Sequence, residues 1–91
     1  MADLTSMRNI GAEMARKLAA VGIRTPEELK EAGAKGAFFR LKTLYPSVCL
    51  VHLYALEGAV RGVDFNALPT EVKADLKEFS DYLNGKGGPA L

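Results

Sequence analysis

Apolar residues recur along this chain every three or four positions, and no stretch alternates them strictly with polar ones, so the pattern predicts helices and no strands. A short turn near Leu4–Arg8 comes first. Ile10, Met14, Leu18 and Val21 then fall within roughly 80° of one another at about 100° per residue, which marks the core face of a helix from about Gly11 to Val21. The next helix starts at Thr25–Pro26–Glu27–Glu28, where Thr25 is placed to cap, Pro26 suits the first helical position and Glu28 can close a capping box. A further helix spans Ala34–Tyr45 with Phe38, Leu41, Leu44 and Tyr45 on one side, and Pro46 ends it.

The segment Ser47–Arg61 is apolar almost all the way round, from Val48 and Leu50 through Leu53 and Leu56 to Val60. A helix of that kind is expected to be buried on all sides, at the centre of the domain. Pro69 opens the last helix, whose Leu68, Val72, Leu76, Phe79 and Leu83 again share a sector of about 80°. Gly22, Gly33, Gly62 and Gly85 each follow an apolar-periodic stretch, where a residue tolerant of positive φ closes a helix. The expected architecture is all-α: five to six short helices in a bundle around one central apolar helix over residues 1–84. A mobile tail follows at 85–91, where the apolar content is too low to order the chain.

At 91 residues and 48% apolar, the chain makes one domain near the lower limit of self-sufficient folding, a size that a protein partner or a homodimer would help. One Cys and one His leave no internal disulfide and only half of a structural zinc shell, so neither metal nor cofactor is expected. The start of the chain has no basic-then-apolar leader and no apolar run approaches the roughly 20 residues of a membrane span, which predicts a cytoplasmic protein without membrane contact. The formal net charge of +1 disfavours strong non-specific binding to nucleic acid. That value conceals a polarity, because residues 1–45 carry eight Lys and Arg against five acids, whereas residues 46–91 carry four against six.

The basic half contains the most informative local pattern. Met7–Arg8–Asn9–Ile10–Gly11, then Ala15 and Leu18, then Gly22–Ile23–Arg24–Thr25 with Leu29 resembles a helix-hairpin-helix motif. In such a motif a tight turn points N–H groups outward at the start of the following helix, where they can hold a DNA phosphate. Asn9 stands where the motif usually has its first Gly, and Asn tolerates the left-handed backbone that this position requires. Two uses fit. As a DNA site, the turn residues Asn9, Ile10 and Gly11 would meet phosphate with Arg8, Arg16, Lys17 and Arg24 around them. As a packing device, the same residues would serve protein contact. The single hairpin, the flanking Glu13 and the small net charge favour the second.

Cys49 and His52 sit three apart, with Glu57 further along the same helix. As a metal or nucleophile site the set is incomplete, and the simpler expectation is a packed Cys beside a His bonded to a backbone carbonyl. Glu57 has Arg61 one turn later in the favourable order for an ion pair. Gly58, in mid-helix, suggests that another helix crosses closely there.

Taken together, Asn9–Ile10–Gly11, Gly22–Ile23–Arg24–Thr25–Pro26–Glu27–Glu28–Leu29, Val48–Cys49–Leu50, the run Leu53–Tyr54–Ala55–Leu56–Glu57–Gly58–Ala59 with Arg61–Gly62, and Leu68–Pro69 with Lys73 and Leu76 resemble the C-terminal domain of the TfoX/Sxy family. The resemblance covers about residues 4–83 and implies a bacterial cytoplasmic protein with a helix-hairpin-helix or SAM-like all-α fold, related to regulators of natural competence. It carries over no catalytic residue. In the family a Trp-His pair usually precedes the last helix, and here those positions are Phe65–Asn66.

Overall fold

The expected apolar stripes fold inward onto one core. The computed structural model describes residues 3–85, and these form four α-helices and two single 3-10 turns, with no strand among the described residues. A 3-10 turn at Leu4–Ser6 leads into α1 (Ala12–Ala20), α2 (Pro26–Leu44) and α3 (Leu50–Arg61). A second 3-10 turn at Phe65–Ala67 then precedes α4 (Thr70–Leu83). From residue 86 onward the predicted tail lies outside the described residues.

The helix count differs from the expected five to six at Gly33. The two helices predicted on either side of it follow one another directly and are counted together as α2, with a kink at non-helical Gly33, φ 77° and ψ 161°. Only glycine takes up that combination readily, so Gly33 interrupts the helical backbone where the sequence placed a stop. The start of α2 is as predicted at its first contact, since Thr25 Oγ1 accepts from the Glu28 backbone N–H at 3.1 Å. The Glu28 carboxylate, however, accepts from the backbone N–H of Arg24 at 2.7 Å and not from that of Thr25.

Leu18, Leu29, Ala37, Phe38, Leu41, Leu53 and Leu56 are fully buried, and the most extensive helix pairing is that of α2 with α3. Truncating any of the Leu or Phe side chains among them to Ala would cost about 2–5 kcal/mol. The expectation that the α3 segment is buried on all sides is corrected by the structure. Val51 is 56% exposed and Cys49 lies at the surface. Three further helices are too few to wrap a fourth completely, and the sector of α3 facing α1 stays partly open. Phe39, Leu44 and Tyr82 are also exposed. No helix is long and apolar enough to cross a membrane among the described residues.

Candidate functional site

The Met7–Gly11 turn is held by its own geometry and by a contact far away in sequence. Asn9 takes φ 71°, the one positive φ outside glycine among the described residues, as the hairpin reading requires. Its carboxamide turns inward, where Nδ2 donates to Val63 O at 3.0 Å and, less closely, to Ala55 O at 3.4 Å. Ile10 is buried at 5% exposure and anchors the turn in the core. Gly11 is exposed and offers α1 no side-chain cap, so the first N–H groups of α1 face outward beside the turn.

The cations of this region are differently engaged. Glu13 accepts from Arg16 at 2.9 Å and lies 3.9 Å from Lys17 Nζ, so one carboxylate offsets both. Lys17 also sits 5.4 Å from the centre of the Tyr45 ring, a cation–π contact. Arg8 and Arg24 are exposed and have no ion pair among the described residues.

Between this turn and α3 lies a cleft of about 230 Å³, walled by Met14 and Lys17 of α1 and by Val51, His52 and Ala55 of α3. Met14 is nearly buried and Val51 stands exposed at its edge, so the cleft joins an apolar interior to an unpaired apolar rim. Glu13 completes the wall, setting one negative and one positive side chain beside the apolar surface.

Cys49 and His52 depart from the expected packing. The helix begins at Leu50, later than predicted, because the buried Val48 anchors the chain after the Pro46–Ser47 turn. Cys49 thereby becomes the exposed N-cap. The His52 ring does not donate to a backbone carbonyl; its Nδ1 accepts from the Cys49 backbone N–H at 3.0 Å, in the manner of the acidic or amide side chain of a capping box. The Cys49 sulfur is 3.5 Å from the same nitrogen. Glu57 is not part of this pair. It binds Arg61 at 2.5 Å and faces a separate cleft with Ala32–Gly36, Glu71, Val72, Asp75 and Leu76. No group of three or more His, Cys, Asp and Glu side chains is arranged to hold a metal among the described residues.

The close approach anticipated at Gly58 comes from a different neighbour. A Cβ there would collide with Asn9 Nδ2 and lie 2.7 Å from Val63 O, so the space is taken by a carboxamide and a chain reversal and not by a crossing helix. Asn9 and Gly58 were each visible in the sequence as unusual residues for their places. Their pairing across nearly fifty positions was not.

The sequence matches the family model described as "TfoX C-terminal domain" over residues 1–80. The chain belongs to the TfoX C-terminal domain family. Among its relatives is Protein Sxy of Escherichia coli strain K12, 32% identical over 83 residues that make up 91% of this chain and 40% of Sxy. The chain therefore spans about two-fifths of that relative. Two crystal structures of Listeria monocytogenes proteins are also similar. An uncharacterized protein in a triclinic form superimposes with a TM-score of 0.94 at 42% identity, covering 97% of this chain and 100% of that one. A protein of unknown function in a tetragonal form gives 0.86 at 44% identity, covering 88% and 98%. This TfoX C-terminal domain thus has its counterpart in chains matched along nearly their whole length.

Proposed function

We propose that this chain is a non-enzymatic binding module that makes protein–protein contact in regulation, of the kind that its kinship with TfoX competence regulators suggests. Its working surface is the helix-hairpin-helix segment with α1 and the facing side of α3. The observation that carries this reading is the cleft beside the hairpin, where nearly buried Met14 and exposed Val51 offer apolar surface framed by Glu13 and Lys17. Such a surface suits an apolar side chain of a protein, with charge at the rim to set its orientation. The partner is a regulatory protein or a second copy of this chain.

The test is a comparison of captured proteins between the parent chain and two variants in a native-type cell. Val51→Glu places a charge in the cleft and should remove a discrete partner, whereas Glu31→Lys, on an exposed part of α2, should retain it. Equal capture by both variants would move the working surface elsewhere.

A second reading is direct DNA binding through the Asn9–Gly11 turn, with Arg8, Arg16, Lys17 and Arg24 on phosphates. The open N–H groups at the start of α1 favour it, and Glu13 beside them opposes it. DNA affinity at low salt that falls steeply as salt is added and disappears in Gly11→Glu would support this reading, and its absence at 50 mM salt would dismiss it.

A further inference from the structure

A separate cleft lies where the leading turn, the start of α2 and the end of α3 converge. Its volume is about 490 Å³, and Ser6, Arg8, Glu27, Lys30, Arg61 and Gly62 line it. Three of these side chains are cationic and come from three different elements, against one acid. Arg8 and Lys30 are exposed and have no ion pair among the described residues. Arg61 donates to Glu57 through Nε, and its terminal nitrogens make no hydrogen bond among the described residues.

Five cations are set against acids among the described residues: Arg16 and Lys17 against Glu13, Lys35 against Asp75, Lys77 against Asp81, and Arg61 against Glu57. In this cleft Glu57 offsets Arg61 and Glu27 stands in the wall, so three cations meet two acids, and the excess positive charge favours an anion among them. Arginine matches the oxygens of phosphate with paired N–H donors and lysine adds a point charge, so donors arriving from separate directions suit a tetrahedral oxyanion better than a planar carboxylate.

We propose that this cleft binds the phosphate group of a phosphate ester through Arg8, Lys30 and Arg61. The site lies on other residues than the protein-contact surface proposed above, apart from Arg8, and it does not depend on that surface. The source of the phosphate is either a small ester or the backbone of a nucleic acid, and the experiment separates them.

The full chain, labelled with nitrogen-15, is titrated at 50 mM salt with inorganic phosphate, with a nucleoside monophosphate and with a short DNA duplex. The expected result is saturable movement of the Arg8, Lys30 and Gly62 amide signals. Arg8→Gln with Lys30→Gln should weaken binding at least tenfold. Arg40→Gln with Lys77→Gln, which removes the same charge from two other exposed cations, should change it less than twofold. The amide spectrum of each variant also reports its fold. Saturation by phosphate or the monophosphate assigns a small-ester site, and saturation by duplex alone assigns a nucleic-acid backbone site; either upholds the proposal. No saturable movement with any of the three, equal weakening in both variants, or movement centred on Gly11–Lys17 would overturn it.

Discussion

The Asn9 carboxamide occupies the space that any side chain at position 58 would need. Gly58 belongs to the last turn of α3, which closes in a Schellman arrangement: Gly62 N–H bonds to Ala59 O at 3.2 Å and Val63 N–H to Gly58 O at 2.9 Å. Val63 is fixed by that bond, and its carbonyl then accepts from Asn9. One glycine, one left-handed asparagine and one helix terminus therefore form a single joint between the hairpin turn and α3.

Gly58→Ala should destabilise the chain by about 1–3 kcal/mol, even though Ala is the better helix former, because the new methyl group meets backbone that cannot move aside cheaply. Asn9→Gly keeps the positive φ but removes both hydrogen bonds, at a cost of about 1–2 kcal/mol. Urea unfolding of the two single variants and the double variant should show less than additive loss, since removing the carboxamide frees part of the space. Strict additivity would mean that the two residues act independently.

Two glycines of α2 should respond in opposite ways. Gly33→Ala forces a side chain into φ 77° and ψ 161° and should cost about 1–3 kcal/mol. Gly36→Ala meets only the Ala32 methyl, at 3.9 Å, in ordinary helix and should add about 0.5–1 kcal/mol of stability. Thermal unfolding followed by circular dichroism would rank the two against the parent chain.

The start of α2 gives a graded pair. Thr25→Ala removes the cap of the Glu28 amide and should cost about 0.5–2 kcal/mol. Glu28→Ala loses the bond to the Arg24 amide at an exposed position and should cost less, about 0.5–1.5 kcal/mol. Urea unfolding would measure both, and a larger loss for Glu28→Ala would show that the entry to the helix depends more on the carboxylate than on the cap.

Gly11→Glu combined with Arg16→Glu should leave the fold intact, because a Cβ at Gly11 meets nothing within 4 Å and Arg16 is exposed. The pair should nevertheless abolish partner capture. Retained capture in a variant with an unchanged circular dichroism spectrum would exclude the hairpin face.

Much of the fold is legible in the apolar period. The stripes through Ile10, Met14 and Leu18 and through Leu68 and Leu76 are buried as expected, because a 3.6-residue period leaves each helix one face to bury. The Glu57–Arg61 pair was legible for a similar reason, since residues four apart on a helix are neighbours. The exposure of Val51 and Cys49 was not, because an all-apolar segment reports what it can bury and not how many neighbours the chain supplies. The cleft between α1 and α3 escaped for the same cause. The Glu13–Lys17 pair follows from the same i,i+4 spacing, but that Glu13 would bind Arg16 more closely was a matter of rotamers that spacing alone leaves open.

The most direct test of the central claim is photo-crosslinking inside a native-type cell, with a photoreactive residue in place of Val51 at the edge of the cleft and, separately, in place of Glu31. The account predicts a discrete protein adduct from position 51, with either a second protein or another copy of this chain, and no such adduct from position 31. Adducts with DNA alone, or the same adducts from both positions, would contradict it.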